Sequence, residues 1–192
     1  MTSYLGNSFV AGIPLYCIEV KNANEVRGNK MHLGENEEAM SILEVGLCLI
    51  HAYQKLKFFL EEAEKISCGV KLNINEIVIL HIIRIQKKPK SVTVINLLAD
   101  FYDDYTISYS IKKLIKFKLI RKLSSKADNN GTSYQITEEG IKHTDIYAAL
   151  RRKTLFTAFA EDTEINIKDL TDQLKYLIRI YTKSFQNLIF KG

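Results

Sequence analysis

Five side chains within nine residues, Ser108, Tyr109, Lys112, Lys113 and Lys116, place hydroxyl and ammonium groups along the run TISYSIKKLIKFKLI that starts at Thr106. Groups of these types hydrogen-bond base edges and neutralise phosphates. Ile107, Ile111 and Leu114 recur among them at helical spacing, so a helix turns its apolar residues to one side and its basic, hydrogen-bonding residues to the other. Ser108, Tyr109, Lys112 and Lys113 lie in the first turns, where a groove-reading helix meets bases. Tyr109 reads equally well as a packing aromatic. Lys116, with Lys90 and Lys126, is assigned to phosphate.

Such a helix needs a rigid seat. After it, RKLSSKADNNGTSYQIT reads as strand, turn and strand: alternation at Leu119, Arg121 and Leu123, AsnAsnGly at 129–131, then alternation again at Tyr134 and Ile136. Upstream, residues 72–86 form a helix apolar nearly all round, with Asn73 or Asn75 as its cap, and Pro89 in LysLysProLys stops it. Residues 91–94 are expected to add one short strand beside the wing. Thr93 then opens a helix through Asn96 to Phe101, and Asp103 and Asp104 favour the next helix's amino-terminal dipole.

Two longer elements flank this core. A helix from Glu35 to about Ser67, capped by Asn36 with Glu37 and Glu38 in its first turn, carries two stripes. Val45, Leu49, Ala52, Leu56, Phe59 and Ala63 form one, and Met40, Leu43, Leu47 and Ile50 the other. The first stripe is free to cover the chain's own core; the second needs another partner, for which a second copy is the obvious candidate. On the carboxyl side a helix starts at Thr137 and continues to Phe159, AspThrGlu at 162–164 breaks it, and a last helix runs from about Ile167 to Ile189. The predicted organisation is therefore an arm over 1–34, a long dimerisation helix over 35–68, a winged helix-turn-helix core over 69–137 and dimerisation helices over 138–192. The fold class is mainly α with a small β-wing.

Charge follows the same boundaries. Between Lys71 and Lys126 twelve basic residues face four acidic ones, a local net charge of +8 that leaves −3 for the rest of a chain whose total is +5. A basic segment between acidic flanks is the footprint of a polyanion binder. A solvated lysine-rich surface accounts for the number but not for its confinement to the winged-helix segment.

On VINLLADFYDDYTISYSIKKLIKFKLI, on YQITEEG after the wing and on YAALRRKTLF in the next helix, the chain resembles the MarR family of winged helix-turn-helix transcription regulators. The resemblance covers roughly residues 72–156. It implies a homodimer, a pseudo-palindromic operator in double-stranded DNA, and a small aromatic effector held between the dimer helices and the winged helix. His51, Tyr53, Phe58 and Phe59 fall on the helix that would line such a pocket, although they are ordinary core residues first. The sequence looks most like an alphaproteobacterial branch with a YSLRKL-type recognition helix, some of whose members control cell-wall genes. Two departures stand out. Lys118 occupies the turn where the family often has Gly, at a cost of about 1 kcal/mol. Asp128 is followed by Asn129 and Asn130 instead of the family's Asp-x-Arg, so minor-groove reading by the wing is not expected.

Enzyme chemistry finds little footing. The histidines His32, His51, His81 and His143 are scattered, and no glycine-rich phosphate loop or nucleophile motif occurs. Cys48 and His51 stand one helical turn apart but make no metal motif, and His81 reads as a satisfied core histidine. Cys17, Cys48 and Cys68 are odd in number and show no paired spacing; as inert thiols they fit a reducing cytoplasm, and the resemblance makes Cys17 the candidate redox sensor. No cofactor or metal is expected. The first basic residue is Lys21 and no apolar run nears the roughly 18 residues that span a bilayer, so the expected location is cytoplasmic. The leading expectation is a ligand-responsive DNA-binding regulator; the competing one is a winged helix that docks protein without binding DNA.

Overall fold

The computed structural model describes residues 36–100, 104–123, 132–162 and 164–191. The expected amino-terminal arm with Cys17, the cap at Asp103, the wing turn at 129–131 and Lys126 lie outside these residues. The chain divides into two units, residues 1–53 and 54–192.

Helix α1 spans Glu37–Cys68 and runs through both units. Asn36 opens it as expected, its Oδ1 accepting the Ala39 N–H at 2.9 Å. In the first unit Ile42, Val45, Leu47, Ile50 and Tyr53 are exposed. In the second unit Leu60, Ala63 and Glu64 are buried and Phe59 packs on the core. Leu60 belongs to neither predicted stripe, while Leu56 of the first stripe is exposed in this unit, as Val45 and Ala52 of that stripe are in the first.

The rest of the second unit is built round α2, Ile74–Arg84. Ile77, Ile79, Leu80, Ile82 and Ile83 are all buried, which is how a helix apolar on nearly every side must sit. Asn73 starts it with a capping box: its side chain accepts the Glu76 N–H, and the Glu76 carboxylate accepts the Asn73 N–H. The helix ends at Arg84, two residues before the predicted limit, in a 3-10 turn over Ile85–Lys87 where Gln86 and Lys87 have positive φ.

Strand β1 is only Lys90–Ser91. The predicted strand over 91–94 is cut short because Ser91, not Thr93, caps the next helix by accepting the Val94 N–H. That helix, α3, spans Val92–Ala99 and stops at Asp100 in the left-handed region. Then come α4 over Asp104–Lys116, β2 over Ile120–Leu123 and β3 over Ser133–Ile136. The sheet has the order β1-β3-β2 with both pairings antiparallel; Arg121 faces Gln135 and Lys90 faces Tyr134. The predicted strand pair and the added third strand are both present. The predicted alternation at Leu119, Arg121 and Leu123 is not clean, since Ile120 between the first two is buried as Leu119 is.

Helix α5 spans Glu138–Arg151, with Thr137 accepting the Gly140 N–H. Gly140 is needed for close approach: a Cβ there would collide with the Leu119 carbonyl oxygen. The predicted unbroken helix to Phe159 contains a π segment at Arg152–Phe156, which shifts the phase of the apolar pattern, before α6 at Thr157–Glu161. Helix α7, Ile167–Lys191, is capped by Asn166, and Leu170, Leu174, Tyr181, Phe185 and Leu188 on it are exposed. Among the described residues no helix is long and apolar enough to cross a membrane.

Candidate nucleic-acid interface

Helix α4 divides cleanly into two faces. Ile107, Ser110, Ile111 and Leu114 are buried, at 3 % exposure or less. Ser108, Tyr109, Lys112 and Lys116 are exposed on the other side. Tyr109 is 55 % exposed, which removes the packing alternative left open by its sequence position. Burial of the three aliphatic side chains holds the helix down, contributing roughly 1.5–3 kcal/mol each.

The turn after α4 has the hydrogen bonds of a Schellman motif. Lys118 N–H donates to the Ile115 carbonyl and Leu119 N–H to the Leu114 carbonyl, with Lys118 at φ 58°. The left-handed residue anticipated from sequence is therefore present without glycine. Thr137 clamps this turn, its hydroxyl donating toward the Lys118 carbonyl at 2.7 Å and its N–H donating to the Leu119 carbonyl. The wing strands thus start from a fixed point. Arg121 then bonds Gln135 across the hairpin through Nε and Nη2, and Lys122 beside it is exposed.

Two predicted contact residues have partners inside the protein. Lys113 is half-buried, and its ammonium lies 2.8 Å from the Glu76 carboxylate, which is wholly buried. Lys90 is buried and donates to the carbonyls of Ile85 and Lys88, tying down the turn that carries the positive φ angles. Helical spacing places Lys113 near the edge of the apolar face, and only the neighbouring helix reveals that an acid waits there.

The residues assigned to an effector pocket are dispersed in character. His51, Tyr53 and Phe58 are exposed, and Phe59 packs against the core. Two clefts, of about 490 Å³ beside Val92, Thr93, Asn96 and Leu97 and of about 350 Å³ beside Glu61, Lys71, Asn73 and Lys113, are lined by none of them. Cys48 is exposed like His51. Among the described residues no group of three or more His, Cys, Asp or Glu is arranged to hold a metal ion.

Beneath the winged helix lies a polar cluster that sequence reading missed. The Glu64 carboxylate of α1 bonds His143 of α5, and both are buried. His81 of α2 lies against the Tyr147 ring at 5.0 Å between centroids, with the Arg151 guanidinium 5.7 Å from that ring. His81 is buried in the core as expected, but its Nε2 has no hydrogen-bond partner within the described residues, nor do Glu64 Oε2 and Arg151 Nε. Burial above all, then electrostatic contributions from Arg151, Arg84 and His143, hold the His81 imidazole down to about pKa 4. Burial likewise pushes the Tyr147 phenol up to about 12 and raises the Cys68 thiol. Arg84 ties the same layers together, donating to the Ile141 carbonyl, the Thr144 hydroxyl and Asp145. A Glu and a His 79 positions apart leave no local pattern to read.

Residues 72–140 match the family model of the winged helix DNA-binding domain. The chain superposes on a MarR/EmrR family transcriptional regulator from Acinetobacter sp. ADP1 with a TM-score of 0.61 at 18 % identity, covering 77 % of this chain and 99 % of that one. The fold is that of the MarR regulators. Staphylococcus aureus MarR in complex with salicylate and kanamycin gives a TM-score of 0.57 at 16 % identity, over 77 % of this chain and 94 % of the other. A mutant E. coli MarR complexed with operator DNA gives 0.58 at 15 %, over 73 % and 95 %. No curated protein sequence matches the chain. In MarR-fold terms α4 is the helix between the helix-turn-helix turn and the wing, the element whose exposed face carries Ser108, Tyr109, Lys112 and Lys116.

Proposed function

We propose that the chain is a homodimeric transcription regulator that binds a pseudo-palindromic operator, each copy inserting α4 into a major groove, the two grooves about 34 Å apart. One observation carries the reading: a helix held by a buried apolar face presents two hydroxyls and two lysines outward, in a segment of +8 net charge. Ser108 and Tyr109 are the base-reading residues, Lys112 reads base or phosphate, and Lys116 takes phosphate. Lys126, which lies outside the described residues, is assigned to phosphate on its charge and place in the sequence alone. Lys90 and Lys113 leave the DNA-facing set, because each already has protein partners.

Dimerisation rests on α7, whose Leu170, Leu174 and Tyr181 recur at helical spacing and stay exposed, as a face awaiting a second copy does. A small aromatic effector, such as the salicylate held in complex by a protein of the same fold, would act by binding DNA-competent and incompetent dimers unequally. The test is a binding titration on a duplex selected by this protein from a randomised pool. Replacing Lys112 and Lys116 together by Ala is expected to lower affinity and to flatten the slope of log affinity against log salt by about 1.8 to 3.6 for the dimer, at about 0.9 for each phosphate no longer neutralised: the lower figure where Lys116 of each copy alone takes phosphate, the higher where Lys112 does too. Unchanged affinity and slope overturn the reading.

A second reading, protein docking without DNA, is favoured by the exposure of Leu97 at 80 % and Leu98 at 53 % on α3. It predicts no shift of random duplex at low salt, where the first reading predicts one.

A further inference from the structure

The apolar seat of α4 fixes which side of the helix faces inward but, being non-directional, tolerates small rotations about the helix axis. Such a rotation moves Ser108, Tyr109 and Lys112 against the bases. A polar tie resists it. Glu76, 0 % exposed, accepts the Lys113 ammonium and the Asn73 N–H on Oε2, both at 2.8 Å, and the Asn73 side-chain N–H on Oε1 at 3.1 Å. The same α2 terminus is held from α1, where Glu61 accepts the Ile74 N–H at 3.0 Å. A carboxylate anchored in a capping box is a fixed point, and a lysine held to it sets the rotation of its own helix.

We propose that Glu76 is a positioning residue for DNA recognition: through Lys113 it fixes the rotational setting of α4, and so the choice of bases, while keeping Lys113 away from the phosphates. The proposal rests on the DNA-binding reading above. It makes a signed prediction that a merely structural role does not. In Glu76→Gln the amide oxygen still accepts from Asn73, so the cap is retained in part, but Lys113 loses its ionic partner and, being half-exposed, becomes available to DNA.

The experiment compares the duplex selected from a randomised pool with a random duplex of equal length, over a series of salt concentrations and with melting temperature measured on each variant. Glu76→Gln is expected to lower the preference for the selected duplex about tenfold or more, to raise affinity for the random duplex, and to steepen the salt slope on it by about 1.8, because each copy of the dimer then neutralises one further phosphate. Lys113→Met is expected to lose the preference while its affinity for random duplex does not rise. Lys113→Arg, which retains the ion pair, is expected to keep the preference within a few-fold. Should Lys113→Met prove too unstable, the double variant Glu76→Gln with Lys113→Met removes the tie without burying a lone charge and is expected to show the same lost preference. A folded Glu76→Gln or double variant with wild-type preference and slope overturns the proposal and leaves the regulator reading standing. Wild-type protein that binds neither duplex removes both.

Discussion

Glu76 and Glu64 are both carboxylates at 1 % exposure or less, on neighbouring helices, and the protein treats them differently. Glu76 has partners on both oxygens: the Asn73 N–H, the Asn73 amide and the Lys113 ammonium. Glu64 has His143 on one oxygen and no protein partner on the other, and His81 and Arg151 nearby each leave a buried nitrogen without a protein partner. Burying a charge is costly in both places, but only in the first do fixed partners offset the cost. The satisfied site sits beneath the candidate recognition helix, where a single geometry is needed. The other lies where α1, α2 and α5 meet, and beside it His81 is the group whose proton affinity burial lowers.

The largest effect expected is from breaking the satisfied pair on one side. Lys113→Met leaves the Glu76 charge buried against two neutral donors and is predicted to cost about 3–5 kcal/mol, read as a lower denaturant midpoint at unchanged slope. A loss under about 1 kcal/mol would mean that the two sites do not differ in the way their contacts imply.

Next comes acid titration of the unsatisfied cluster. The folded-state pKa of His81, about 4, lies below the 6.5 of the unfolded chain, so the unfolded state binds the proton first. Stability from this group is complete above about pH 6.5 and is lost as pH falls toward 4, by roughly 3 kcal/mol in all. Thermal unfolding between about pH 7 and 4.5 should show the decline, and His81→Phe should remove most of it. An unaltered decline in that variant would place the titration elsewhere.

Smaller still is the effect of replacing the Glu64 pair by apolar residues. Glu64→Leu with His143→Phe removes both hydrogen-bonding partners and is expected to fall within about 1 kcal/mol of wild type, whereas either single change costs more. A calorimetric double-mutant cycle separates these outcomes. Lys118→Gly lies outside both sites and serves as the control: relief of the left-handed φ at 58° should raise stability by about 1 kcal/mol, with DNA preference unchanged.

Local signals carried the elements well. Asn36, Asn73 and Thr137 cap their helices, the apolar run at 77–83 is the central core helix, and the alternating segments round Arg121 and Tyr134 pair as strands. Boundaries were less legible where two local devices compete, as at Ser91, whose hydroxyl ends β1 and starts α3 at once. Within the candidate interface the exposed set Ser108, Tyr109, Lys112 and Lys116 was readable from 3.6-residue spacing. Lys113 was not, because its neighbour Glu76 is 37 positions away and the two meet only when α4 packs on α2. A signal for Glu76 did exist: Asn-x-x-Glu ahead of an apolar run is a capping-box pattern. Lys90 offered none, since its carbonyl partners come from a turn with positive φ angles.

What the sequence determined by itself was whatever depends on neighbours along the chain: which segments are helices and strands, which face of each is apolar, and where positive charge gathers. Those properties follow from backbone sterics and side-chain periodicity, which act over a few residues. Tertiary structure alone decided which lysines remain available, which acids are buried, and which histidine is held neutral. Each of these depends on the electrostatic environment made by groups far apart in sequence, and that environment exists only once the helices have packed.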